Sequence, residues 1–333
     1  MFGSLWKNSL MALNSSVLEA EIVRMSDVAI YVVIAIIIVI NAIGNMLIIF
    51  TYQRESILRV PANTYIVSLA CADLFYVILA PLCLVVSYTT DISQYTTCLW
   101  SLTLLMINFP VSIFHLLLIA VDRYTAVTKP LRYFVIMSEL RVNVYLFLAW
   151  SLGLLIGLLP QFGWHNAMDT PLPVCSYLLI LPHEYFIFLF TACFIIPLLI
   201  MVFLYFVMFR EARRQTRRVA QLEIAVLFKN GVRRKPRLMK DIKATVTVGL
   251  ILGSFILCFL PTCLAYFTHL ANSSLGNSHV FLGLSSACNI TLALSTAVNP
   301  FIYAYKSQRF RQRATVIIHR THNLLKILFG CPL

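Results

Sequence analysis

Seven stretches of this chain, at about 28–52, 61–88, 96–122, 142–163, 184–209, 244–270 and 279–304, each run for more than 20 residues with almost no charge. The hydrocarbon core of a bilayer is about 30 Å thick, and a helix needs roughly 20 apolar residues to cross it. Membrane strands are only about 10 residues long and alternate in polarity, so these lengths predict helices. Composition agrees, since 60% of the 333 residues are hydrophobic and 12% are charged. So few charges would not cover the surface of a soluble globule of this length. The expected fold is an all-α membrane protein, a bundle of seven transmembrane helices.

Charge placement sets the expected orientation. The connectors 53–60, 123–141 and 210–243 and the tail from 305 hold 24 of the 26 Lys and Arg residues, and Lys7 and Arg24 are the others. Basic connectors stay in the cytoplasm, which places the N-terminus outside and the C-terminus inside. The sequons at Asn14 and Asn272 both fall on the outer side, as glycosylation requires. That side is oxidising, so Cys98, at the start of span three, and Cys175, after span four, are candidates for a disulfide. The other cysteines in apolar helix read as small buried hydrophobes, and Cys331, behind the basic tail, is a candidate for palmitoylation. No removable signal peptide is read at the N-terminus, so span one is expected to serve as the insertion signal.

Several function classes fall away. The net charge of +13 suggests nucleic acid, but the aromatic residues lie in the apolar runs rather than among the basic ones. Nine cysteines form no CxxC pair and seven histidines no HExxH set, which argues against a metal centre or redox enzyme. No catalytic constellation is visible, so an enzyme is not expected. A seven-helix transporter or channel would carry several charges along its path and often an internal repeat. Asp73 is the only acid well inside a span, and no repeat is visible.

The ends of the spans carry a more specific pattern. Span one has Gly44-Asn45, span two Leu69-Ala70-Cys71-Ala72-Asp73, and span three ends in Asp122-Arg123-Tyr124. Span four has Trp150, span five Pro197 and Tyr205, span six Cys258-Phe259-Leu260-Pro261, and span seven Asn299-Pro300-Phe301-Ile302-Tyr303. This set, in this order, resembles the rhodopsin-like (class A) family of G-protein-coupled receptors along nearly the whole chain. The resemblance implies a signalling protein of the plasma membrane whose partners are a heterotrimeric G-protein, an extracellular ligand and membrane lipids, with arrestin and receptor dimers as further partners. It implies an outer segment at 1–26, a receptor domain at 27–304, and a cytoplasmic amphipathic eighth helix and tail at 305–333.

Residue roles follow from the same resemblance. Arg123 would pair with Asp122 and with Asp241 in the resting state, then swing toward Tyr205, Tyr303 and the G-protein on activation. Tyr124, Asn299 and Pro300 complete that switch, and Leu131 is the apolar knob offered to the G-protein. Ile113, Pro197, Phe255 and Phe259 match the family's packing switch, with Phe259 replacing the usual Trp. Asp73, with Asn45, Ser112, Ser295, Thr296 and Asn299, matches the family's polar pocket, where an allosteric sodium ion would bind. No other cofactor is implied. The basic 210–243 connector reads as a segment attracted to anionic lipid that also presents charge and apolar residues to a partner.

Within the family, "IFHLLLIAVDRYTAVTKPLRY" and "AVNPFIYAYKSQRFRQ" are most similar to adenosine receptors. The adenosine-binding positions differ, however: Tyr266 replaces the family's Asn, Leu178 its Glu and Phe109 its Thr, while Leu292 and Ala293 replace its Ser and His. Only an aromatic, Tyr177, survives. Leu105 replaces the Asp of amine receptors, so a buried ligand cation would go unpaired. The expected pocket of Leu105, Phe109, Tyr177, Leu189, Phe259, Tyr266, Asn289 and Leu292 is mostly apolar, which suits a small, largely uncharged ligand. The alternatives carried forward are an adenosine or nucleoside receptor with a diverged pocket and, from another class, a transporter or channel.

Overall fold

The computed structural model describes residues 29–30, 32–89, 95–167, 175, 177–230, 253–254, 256–261, 263–264, 267, 290–291, 293–302 and 311–316. Five helices among them are long and apolar enough to cross a membrane. They are α1 (Val32–Arg54), α2 (Pro61–Thr89), α3 (Tyr95–Thr128), α4 (Glu139–Phe162) and α5, which starts at His183 and ends at Asn230. The sixth and seventh expected spans are represented by α6 (256–261) and α7 (Ala293–Ile302), and a last helical piece, α8, covers 311–316.

The observed helices overrun the apolar stretches at the basic end. The third span was expected to end at residue 122 and the fifth at 209, but α3 continues to Thr128 and α5 to Asn230. Hydropathy stops a span at its first charges, whereas Arg, Glu, Gln and Ala are good helix formers and carry the helix on into water.

The centre of the bundle is α3, which packs against α2, α4 and α5. Its buried residues include the polar Asn108, Ser112, His115 and Asp122, whereas α1 and α4 leave broad rows of Val, Ile, Leu and Phe exposed, as lipid-facing helices do. Pro110 lacks the N–H that would reach the carbonyl of Met106, and the helix loosens one residue on, at Ile107. In α5, Pro197 is preceded by a wide π-helical turn over Thr191–Ile195 that absorbs the missing bond.

Close helix approach comes from small residues. Ala149, Gly153 and Gly157 recur every four residues on the buried side of α4, the spacing that lets two membrane helices meet backbone to backbone. A Cβ on Gly157 would stand 2.7 Å from Ile107 Cα, so nothing larger than hydrogen fits. A polar thread crosses the same region. Trp150 Nε1–H donates to Ser68 Oγ at 3.0 Å, Ser68 donates to His115 Nε2 at 2.8 Å, and His115 Nδ1–H donates to the Val111 carbonyl at 2.7 Å. It ties α4, α2 and α3 together with every atom in a compatible role.

Candidate functional site

At the basic end, Asp122 is fully buried and Arg123 is folded back onto it, with Nε and Nη2 donating to Oδ2 at 2.9 and 2.5 Å. The other carboxylate oxygen accepts from the Tyr133 hydroxyl at 2.7 Å. Tyr133 is placed there by local sequence: Pro130 starts a tight turn, Pro130–Arg132, which runs into the helical turn Tyr133–Ile136. Burial, then the Asp122 charge and hydrogen bond, push the Tyr133 phenol well above its ordinary value, so it remains a donor. Tyr205, on α5, lies in the field of the Arg123 guanidinium, and among the described residues its buried hydroxyl has no hydrogen-bond partner. Tyr124 packs half-buried against the core, while Leu131 is 99% exposed on the connector.

Midway along the bundle, Asp73 is fully buried. Its Oδ2 accepts from Asn299 Nδ2 at 2.9 Å, linking α2 to α7, and among the described residues its Oδ1 has no hydrogen-bond partner. A separate set joins α1 to α7: Asn45 Nδ2 donates to Asn41 Oδ1 at 2.6 Å, and Asn41 Nδ2 to Thr296 Oγ1. Pro300 of α7 is buried against α1, where a Cβ on Gly44 would come within 2.8 Å of its ring. On α3, Ser112 Oγ donates to Asn108 Oδ1 at 3.4 Å, and Asn108 Nδ2 to the Ala72 carbonyl at 2.9 Å.

Toward the other end, a disulfide joins Cys98, in the first turn of α3, to Cys175, just before the helical turn Tyr177–Ile180. Between this end and the middle lies a ladder of aromatic rings. Phe109 of α3 meets Phe259 of α6 at 4.5 Å between centroids, and Phe194 lies 6.2 Å from Phe259. Phe190 stacks on Phe194 at 5.2 Å and meets Phe267 edge-on at 6.0 Å. Buried Tyr177 and Leu189 belong to the same apolar cluster, which also holds buried Ile113.

A conserved-family profile described as "7 transmembrane receptor (rhodopsin family)" matches residues 44–303. The chain belongs to the rhodopsin-like receptors. It is similar to adenosine receptor A2a of Homo sapiens, 31% identical over 315 residues, covering 89% of this chain and 73% of that protein. Adenosine receptor A2a of Equus caballus is 32% identical over 314 residues with the same coverage. Adenosine receptor A2b of Homo sapiens is 29% identical over 314 residues, covering 88% of this chain and 90% of the relative. This rhodopsin-like receptor is thus a multi-pass membrane protein with an adenosine-receptor-like scaffold, and its family is one of receptors rather than enzymes.

Some residues expected together in the receptor do meet, and others are divided. Asp122 and Arg123 pair directly, and Asn299 reaches Asp73. Asn45 and Thr296 are joined through Asn41 rather than through Asp73, and Ser295 lies half-buried on α7. Leu105, one turn before Phe109, packs beside Tyr76, Ala80 and Ala293. Pro197 is buried within α5. Asp241, Tyr303, Phe255, Tyr266, Asn289, Leu292, Asn14, Asn272 and Cys331 lie outside the described residues. Cys83, Cys193 and Cys258 are buried as expected, but Cys71 is exposed on α2.

The sequence reading missed Tyr133, Asn41, Asn108 and Gln215. Gln215 Nε2 donates to the Val127 carbonyl at 3.2 Å and so ties the α5 extension to α3. Asn41 and Asn108 had a usable signal, being amides four residues from Asn45 and Ser112 on the same helix face.

For a sodium ion, the Asp73 environment fits. A buried carboxylate oxygen without a hydrogen-bond donor among the described residues has a strong need of a cation, and a single carboxylate suits a monovalent one. Asp73 is the residue that would hold it.

Proposed function

We propose that this receptor passes binding of a small, largely uncharged extracellular ligand to a heterotrimeric G-protein at its basic, cytoplasmic end. The N-terminal segment 1–26 then lies outside, 27–304 forms the receptor domain, and 305–333 lies on the cytoplasmic face, where arrestin and a second receptor are further partners. The observation that carries this reading is the state of Arg123. Its guanidinium is held by a buried carboxylate, eight residues before an exposed apolar knob, Leu131, and in the field of Tyr205, whose buried hydroxyl lacks a partner among the described residues. An unsatisfied buried hydroxyl costs about 1–3 kcal/mol, which a second position of Arg123, reaching Tyr205, would recover. Two arrangements of similar energy are what a ligand needs if it is to shift a population.

Ligand character is argued from the lining. Phe109, Phe194, Phe259, Leu189 and Tyr177 offer rings and aliphatic surface, which favours a ligand without net charge. Sodium held at Asp73 would supply a fixed positive charge between α2, α3 and α7 and favour the resting arrangement. The second reading, an adenosine or nucleoside ligand in a diverged pocket, is favoured by the names of the relatives and disfavoured by Phe109 and Tyr266 at two of the binding positions.

The test expresses the receptor with each G-protein class and compares nucleotide exchange for the wild type, Arg123→Ala and Asp73→Asn, with nucleosides and lipids as candidate ligands. Exchange should be lost in Arg123→Ala. Asp73→Asn should keep exchange but lose any sodium dependence of the thermal midpoint. Coupling that survives in Arg123→Ala unchanged overturns the reading.

A further inference from the structure

Among the described residues, three guanidiniums lie over phenylalanine rings four positions earlier on the same helix. Arg54 sits over Phe50 at 5.0 Å, Arg210 over Phe206 at 5.7 Å and Arg213 over Phe209 at 4.7 Å. All three rings are exposed, Phe206 by 57%. The α5 pairs point away from the bundle: Met201, Leu204, Met208 and Ala212 are the buried positions of this helix, and at 100° per residue Phe206, Phe209, Arg210 and Arg213 stand on the opposite side.

Depth agrees between the two helices. Phe50 lies eighteen residues beyond Val32 and Phe206 twenty-three beyond His183, about 27 and 35 Å at 1.5 Å per residue. A hydrocarbon core of about 30 Å therefore ends close to each ring, with the guanidinium one turn further, among the headgroups. An arginine held flat on an aromatic ring is pre-organised and presents its N–H fork outward, the geometry that matches phosphate.

We propose that Arg210 and Arg213, seated on Phe206 and Phe209, form a binding site for the headgroup phosphate of an anionic phospholipid on the outer face of α5. Charge complementarity selects the lipid, and the apolar rings below the guanidiniums lie where its acyl chains begin. The site does not depend on the ligand or on G-protein coupling.

The test uses the full-length receptor, purified and titrated with phosphatidylserine or phosphatidylcholine, with lipid adducts counted by native mass spectrometry. Arg210→Gln/Arg213→Gln should weaken phosphatidylserine binding by about fivefold for each arginine lost. The charge-matched control, Arg214→Gln/Arg217→Gln, should weaken it clearly less than the first pair does, because among the described residues neither arginine is seated on a ring. Phe206→Leu/Phe209→Leu keeps both charge and apolarity and should weaken binding several-fold. Inorganic phosphate should not displace the lipid. Equal losses from the two arginine pairs would mean diffuse attraction and overturn the site, as would an unaffected leucine variant, equal binding of phosphatidylcholine, or displacement by phosphate.

Discussion

A carboxylate without solvent contact has to find its hydrogen bonds inside the protein, and Asp122 finds them in Arg123 and Tyr133. Its two oxygens are therefore divided between a cation on its own helix and a phenol held by the helical turn of the connector. Removing the phenol leaves Oδ1 unsatisfied and loosens the anchor of Arg123. A hydrogen bond to a charged acceptor contributes about 1.5–3 kcal/mol, so Tyr133→Phe should raise basal nucleotide exchange about tenfold or more. Exchange in membranes, normalised to receptor number, measures this, and an unchanged basal rate would remove Tyr133 from the resting lock. Because folding raises the pKa of Tyr133, its contribution is complete below the free phenol value of about 10 and is lost only as pH rises through the higher folded value. The wild-type-to-variant ratio should accordingly be flat across neutral pH. Asp122 and Arg123 were legible in the sequence because they are adjacent at the end of an apolar run. Tyr133 was not, since a residue eleven positions away in a loop has no periodicity to announce what it faces.

At the scale of single elements, the way α4 seats on α3 depends on hydrogen atoms where side chains would otherwise be. Gly157→Leu would drive a side chain into Ile107 Cα and Cγ1. Overpacking of this kind costs about 1–3 kcal/mol where neighbours can shift, and more here because part of the obstacle is backbone. The variant should show a clearly lower thermal midpoint in detergent, with Gly157→Ala intermediate; a midpoint equal to wild type for Gly157→Leu would mean the helices are not in close contact. The existence of each helix was plain from apolar length alone. Its ends were not, because the α5 extension past Arg210 is held by helix propensity and by Gln215 on Val127, neither of which hydropathy registers.

In the whole molecule, long-range ties close what the helices leave open. The Cys98–Cys175 bond spans 77 residues of sequence, and a loop of that size constrains the unfolded chain by about 4 kcal/mol in the entropic account. Cys98→Ser and Cys175→Ser should each lower the thermal midpoint, and the double variant should add little to either; additive losses would show that the two thiols act separately. The bundle could be anticipated from seven apolar runs, and the basic end from the motifs on it. The aromatic ladder could not, because Phe194, which meets Phe259, lies within the widened turn before Pro197, whose extra residue alters every facing beyond it.

The placement of Pro110 has a mechanical consequence. The loosened turn of α3 lies at Ile107, above Phe109, and from Asn108 to Thr128 the rod is continuous. Fourteen residues separate Phe109 from Arg123, about 21 Å and close to four full turns, so the two side chains leave the axis on nearly the same bearing. Packed interiors yield little to compression. A small torque applied where Phe109 touches Phe259 would thus reach the guanidinium as rotation rather than as sliding.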